Sequence, residues 1–293
     1  MNEFKRFHPL VNFIYFVFAI GFSSFFLNPF CLVMSLFGSL GFMILSDKKS
    51  KKQIWFFVLI FFITALFNPI YNHRGITIIT YLPGGNPLTL ESVLYGFASG
   101  AMLVSVIAWF ASFNRVMTSD KYVYLFGKIA PAISLIFSMT LRFVPRFIKE
   151  LKTVETAQKG IGKGIGNGTL KEKIKNGMSV LSVTVTWALE NAIETSDSMK
   201  ARGYGLKGRS AFSIFKFTKK DGIVLFMMLV FGIYTIAGGI SGAMNYEYFP
   251  SMKASEIGPY GISVYISYGI VMIMPLLIEF AEVRRWHALK SKI

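Results

Sequence analysis

Residues Arg146 to Gly205 read RFIKE LKTVETAQKG IGKGIGNGTL KEKIKNGMSV LSVTVTWALE NAIETSDSMK ARGYG. This is a Lys-rich, helix-forming stretch with no apolar run of membrane length, set in a chain that is otherwise mostly apolar. A first helix is expected to continue to about Lys159, where the glycines from Gly160 to Gly168 break it, because glycine is a poor helix former. That break reads as a flexible elbow. A second helix starts near Thr169, which forms a capping box with Glu172 three residues on, and runs to Arg202, with Gly203 placed as its C-terminal stop. Unbroken, it would reach roughly 50 Å. Such a segment reads as a cytosolic lever carried by a membrane domain and built to dock on another protein.

The trio Ala201-Arg202-Gly203 at the end of that lever has two readings. As a docking plug, Ala201 allows close backbone approach, Arg202 offers a bidentate donor to a carboxylate, and Gly203 ends the helix so that its tip can enter a groove. As plain helix chemistry, a cation near a C-terminus complements the macrodipole. Glu190, Glu194 and Asp197 share one face and read as a solvated acidic stripe beside nearby lysines. The Gly-rich break contains Lys163 but is not a phosphate loop, since Ala157 stands where the first glycine is needed and Gly164 follows the lysine.

Outward from the lever, the 293 residues are 53% apolar with 30 Phe and a mean hydropathy of +0.52, far from an ordinary soluble domain. The single Cys31 lies in an apolar run and the three histidines are scattered, so neither a disulfide framework nor a metal site is expected. Charge-free runs Leu10 to Leu27 and Phe30 to Leu45 form a hairpin about Asn28-Pro29, and further spans are expected over Ile54 to Ile70, Ser92 to Phe113, Gly222 to Ile240 and Ile262 to Ile278. Asp47 to Lys52 is a short basic loop; residues 71 to 90 form an outside loop, with a re-entrant or interfacial piece considered at Ile76 to Leu82. Residues 118 to 130 carry Tyr122, Leu125, Phe126 and Ile129 at helical spacing, and Pro131 starts a helix. Residues 132 to 144 either sit in the membrane or line the bundle; the sequence leaves both open. Arg142, before Pro145, either snorkels or bonds within the bundle.

The formal charge of +16 follows membrane sidedness. Only Arg74 and Lys253 of the 31 Lys and Arg fall outside under an arrangement with both termini inside, which accounts for the charge without nucleic acid. The fold class is therefore an all-α polytopic membrane protein of about six transmembrane helices with a long helical cytosolic coupling region. Its expected divisions are 1–117, 118–220 (with 132–145 as a candidate membrane segment) and 221–293. Glu91 and Glu279 stand near span ends, where both can reach an interface. No set of acids or nucleophiles supports a membrane-embedded enzyme. The halves of the chain do not look alike, as the repeats of a stand-alone secondary transporter would.

Four ordered segments together resemble the transmembrane subunit of energy-coupling factor transporters, the EcfT (CbiQ-like) family. They are His8-Pro9, Met117-Thr118-Ser119-Asp120 through Pro131, Leu141-Arg142-Phe143-Val144-Pro145, and Ala201-Arg202-Gly203; Ala188-Leu189-Glu190 and Met199-Lys200 also fit. The likeness covers nearly the whole chain. It implies a non-enzymatic coupling subunit of a vitamin or micronutrient importer in the cell membrane, multi-pass, with both termini cytoplasmic. The implied partners are two ABC ATPase subunits of the EcfA type, a substrate-binding S-component and the lipid bilayer. The chain itself would need no cofactor, ATP being bound by the ATPases. Members usually carry an earlier Ala-Arg-Gly after an Ala-Gln pair. Here Ala157-Gln158 is followed by Lys159-Gly160-Ile161-Gly162-Lys163, so Ile161 stands where arginine is expected. The resemblance thus implies two unequal docking tips, the first through apolar contact or through Lys159 or Lys163, which would not reproduce a planar bidentate contact. Arg142 and Pro145 are implied to be coupling residues.

Overall fold

The computed structural model describes residues 3–46, 51–81, 85–127, 130–166, 169–206, 215–255 and 258–290. The expected basic positions Lys48, Lys49, Lys207, Arg209 and Lys292, the turn residues Pro83 and Gly84, and Ile129 lie outside them. Helices dominate, and the chain falls into two compact units, Met1–Thr118 with Phe215–Ile293, and Ser119–Ile214.

The first unit holds α1 (Pro9–Phe25), α2 (Pro29–Ser46), α3 (Lys51–Tyr71) and α4 (Leu90–Val116) from its first segment. All four are apolar helices, α1 and α2 the shorter ones. Helix α1 starts where the His8 imidazole accepts the Leu10 amide and Pro9 takes the first turn, where a missing N–H costs nothing. Its buried residues Val11, Asn12, Tyr15, Phe16, Ala19, Phe22 and Ser23 recur at helical spacing, so one stripe faces the bundle. Asn28 caps α2 by accepting the Phe30 amide. At the core, Trp109 of α4 is fully buried among Tyr15 and Phe16, and its indole N–H donates to Ser35 at 3.3 Å. Gly96 lets α4 lie on α3: a Cβ there would come within 2.5 Å of the Ala65 carbonyl oxygen.

Helix α4 exceeds the expected Ser92 to Phe113 at both ends; its earlier start follows from Thr89, which caps it by accepting the Ser92 amide. Helix α3 runs one residue past the expected Ile70 and keeps Pro69 in its last turn, where a proline lacks only one hydrogen bond. Within Ile76 to Leu82, where a re-entrant piece was considered, Ile78–Tyr81 is instead a strand, β1, paired antiparallel with β2 (Pro87–Thr89). The run Ile78-Ile79-Thr80-Tyr81 is β-branched and aromatic, which favours a strand over a helix.

The unit's second segment and the lever unit supply the remaining elements. In the lever unit, α5 (Ser119–Gly127) is followed by α6 (Pro131–Gly160) and α7 (Leu170–Ala201). In α5 the buried position is Lys121, while Phe126 of the expected apolar face is 46% exposed; the long aliphatic stem of a lysine packs where its sequence charge would forbid it. Helix α6 passes through Pro145 without ending. Back in the first unit, α8 (Lys219–Ile240) opens on a capping box of Thr218 and Asp221. The Asp221 carboxylate also accepts the His8 amide at 2.9 Å, tying the starts of α8 and α1 together. A short ribbon, β3 (Tyr246–Glu247) with β4 (Lys253–Ala254), leads to α9 (Pro259–Lys290).

Helix α9 extends well past Ile278, the expected end of the last span, and its Glu279 is 5% exposed and accepts the Phe4 amide at 3.2 Å. Glu91 is 2% exposed and accepts the Thr77 amide and hydroxyl at 3.1 and 2.9 Å. Both acids thus accept hydrogen bonds within the protein near the ends of their spans, Glu91 in the first turn of α4. Among the described residues, four helical stretches are long and apolar enough to cross a membrane, Gln53–Tyr71, Leu90–Val116, Lys219–Ile240 and Pro259–Glu282, and α1 and α2 add two shorter apolar ones. Large side chains such as Trp55, Phe62 and Leu66 of α3 are more than half exposed, an arrangement suited to lipid rather than water.

Candidate functional site

The candidate residues gather at two helix ends of the lever unit. At the first, α6 ends at Gly160 and Ile161 is its C-cap; the Gly162 amide donates to the Lys159 carbonyl at 3.0 Å and the Lys163 amide to the Gln158 carbonyl at 2.9 Å. At the second, α7 ends at Ala201 and Arg202 is its C-cap; the Gly203 amide donates to the Lys200 carbonyl at 2.8 Å and the Tyr204 amide to the Met199 carbonyl at 3.0 Å. Gly162 and Gly203 both have φ +77°, the left-handed conformation that side chains rarely adopt. Two stretches of unlike sequence therefore fold the same backbone cap. Gly160 matches Ala201, Ile161 matches Arg202, and Gly162 matches Gly203.

The side chains at these matched places differ. Ile161 is 66% exposed and offers a bare apolar surface, whereas Arg202 is exposed with five fixed donors. One turn back the chemistry converges again: Lys159 pairs with Glu155 at 3.6 Å and Lys200 with Asp197 at 3.8 Å. Exposed pairs of this kind contribute little energy but hold the lysines along the helix. Lys163 is exposed beside the first cap. The Gly-rich break is thus an ordered cap at its start rather than only an elbow, since its left-handed glycine satisfies the last carbonyls of α6.

Between the tips, α6 and α7 meet at an aromatic contact that sequence reasoning did not single out. The Arg146 guanidinium lies 5.5 Å from the Trp187 ring centroid and donates to Asn191 at 3.4 Å, and Phe143 stacks on the same indole at 6.0 Å. The contact spans some forty residues, so only the pairing of Arg142 with Arg146 one turn later could have pointed to it. Gly160 stands fourteen residues along α6 from Arg146 and Ala201 ten along α7 from Asn191, about 21 and 15 Å of helix. The tips remain separate sites, and Arg142 and Pro145 belong to neither, both lying exposed on α6. Glu190, Glu194 and Asp197 are likewise exposed on α7.

The start of α7 carries the expected capping box. Glu172 accepts the Thr169 amide at 2.8 Å and hydroxyl at 3.1 Å, and those two bonds hold its carboxyl below the usual range. Asn176 adds a bond to the Gly164 carbonyl at 3.3 Å, closing the connection between the two helices. Among the described residues no group of three or more His, Cys, Asp or Glu side chains could hold a metal ion.

These features define a helical, polytopic membrane protein with a separate helical lever unit. A model of the CbiQ family, described as "Cobalt transport protein", matches residues 4–214, and the chain belongs to that family. It is similar to proteins named energy-coupling factor transporter transmembrane protein EcfT. The one from Bacillus selenitireducens is 32% identical over 111 residues, covering 38% of this chain and 41% of the relative. That from Lactobacillus helveticus is 33% identical over 118 residues, 40% of this chain and 43% of the relative. The Staphylococcus aureus protein aligns over more, 25% identical across 215 residues, 67% of this chain and 79% of its own. The first two alignments thus span about two fifths of each relative's length.

Proposed function

We propose that this chain is the coupling subunit of an energy-coupling factor importer, with its lever unit seated on two ABC ATPases in the cytosol. The Ile161 tip enters one ATPase groove and the Arg202 tip the other. ATP is bound and hydrolysed by those partners; this chain passes their closing movement to a small substrate-binding membrane protein, the S-component, which selects the vitamin or metal. Both termini are cytoplasmic, so the basic loops lie on the ATPase side.

The observation that carries this reading is the pair of matched caps. A helix end that presents a side chain forward and turns its backbone away at a left-handed glycine can enter a narrow groove without steric conflict. Two such ends on one small unit suit a partner that has two equivalent grooves, as a pair of related ATPases does. Large apolar side chains left exposed on α7, among them Ile174, Leu181, Leu189 and Ile193, offer a surface for the membrane partner.

Co-purification of the tagged chain from native membranes in mild detergent, with the bound proteins identified by mass, tests the reading. Recovery of two ATPase copies and a small integral membrane protein is the expected result. A chain that arrives alone, yet transports or turns over a substrate in vesicles, would overturn it in favour of a secondary transporter or an enzyme.

A further inference from the structure

The end of α3 forms one wall of an open cleft of about 530 Å³ lined by Thr64, Phe67, Asn68, Tyr71, Asn72 and Arg74. The helical members fall at i, i+3, i+4 and i+7, so they share one face, and Phe67 and Tyr71 stack at 5.8 Å with a 14° tilt. Gln53–Tyr71 is long and apolar enough to cross a membrane, which sets Tyr71 at its boundary and Arg74 three residues beyond, at headgroup level. Thr64 lies about 10 Å deeper along the helix. The cleft therefore runs from the headgroup layer into the upper hydrocarbon, beside the exposed Ile63, Leu66 and Ile70.

The backbone at its mouth is held while its charge is left open. The Arg74 carbonyl accepts hydrogen bonds from the hydroxyls of Thr89 at 2.8 Å and Ser92 at 3.2 Å, and its amide donates to Asn72 at 3.3 Å. The nearby acid Glu91 is occupied with Thr77. Among the described residues the Arg74 guanidinium has neither an ion pair nor a hydrogen bond. Asn68 donates one amide hydrogen towards Ser99 at 3.5 Å, and a primary amide carries two.

We propose that this cleft holds one phospholipid molecule. Its phosphate takes the planar fork of Arg74, and its first methylenes lie along Phe67 and Tyr71. An amphiphile with an anionic head and an apolar body matches this order of groups along the helix. A free phosphate ion would leave the aromatic and lower part of the cleft uncovered.

Native mass spectrometry of the full-length chain, extracted with whatever subunits accompany it, reads the occupancy directly as phosphatidylglycerol is added back. The wild type should retain one lipid, and Arg74→Gln should lower occupancy roughly tenfold, with Arg74→Lys between the two because it keeps charge but loses the fork. Lys253→Gln, which removes a cation from β4 that does not line the cleft, should change nothing. Inorganic phosphate at millimolar concentration should fail to displace the lipid. Equal retention by wild type and Arg74→Gln would overturn the proposal, as would an equal loss in Lys253→Gln, which would mark general surface charge. Displacement by inorganic phosphate would overturn it too and leave a bare anion site.

Discussion

The tip at Gly162 and the tip at Gly203 share a backbone and differ in what they offer. Each ends a long helix with a left-handed glycine, two amides that turn back onto the helix, and a lysine paired to an acid one turn earlier. Only the residue held forward changes, from Ile161 to Arg202. A shared backbone with divergent side chains separates two requirements: the shape that fits a groove, and the chemistry that holds in it. The first tip meets the shape requirement alone and offers burial of apolar surface. The second adds a directional, charge-assisted contact.

Charge reversal at the second tip should break this comparison most severely. Arg202→Glu sets a carboxylate where the proposed groove holds one, and ATP-driven uptake into cells should fall by about tenfold or more while the protein still inserts. Insertion is checked by its membrane-fraction yield. A smaller effect is expected from Ile161→Arg, which makes the first tip resemble the second: uptake should persist, and assembly should hold or strengthen against rising salt if that groove is acidic. Loss of assembly in this variant would mark the first groove as one that rejects a cation.

Gly162→Ala and Gly203→Ala probe the shared backbone rather than the chemistry. Each should cost about 1 kcal/mol at its cap. Gly203→Ala should cost slightly more, because its new methyl would lie 2.9 Å from Leu206 whereas nothing lies within 4 Å at Gly162. Amide exchange at residues 158–163 and 199–204 would register both. The smallest effect concerns Glu172. Its carboxyl is held below its ordinary value by Thr169, so the capping box stabilises α7 above that ordinary value, near pH 4, and weakens as pH falls through the depressed one. Protection at residues 169–173, read as exchange relative to the intrinsic amide rate at each pH, should fall on acidification, and Glu172→Gln should flatten that dependence.

Local signals explain what the sequence made legible. The apolar runs, the Thr169–Glu172 box and the stop at Gly203 depend on neighbours within a few residues, and each forms as expected. Gly162 carried the same signal as Gly203, but it was hidden among so many other glycines that the stretch read as a break. The partners of Glu91 and Glu279, Thr77 and Phe4, were not legible because tertiary packing brings them together, which makes a charge near a span end a buried acceptor. The contact of Arg146 with Trp187 was illegible for the same reason, whereas the hairpin of β1 with β2 had a local signal in its β-branched and aromatic run. Family resemblance pointed to both tips, yet it could not reveal that Ile161 occupies a cap built like that of Arg202.

Unequal tips on a common backbone are the centre of this account, and a pull-down from native membranes tests it most directly. Tagged wild type, Ile161→Arg and Arg202→Glu would be compared for the amount of ATPase recovered per chain. The account predicts that Arg202→Glu loses the ATPases and keeps the small membrane partner, while Ile161→Arg recovers at least as much ATPase as wild type. Equal ATPase recovery from wild type and Arg202→Glu would contradict it and move the main contact away from that tip.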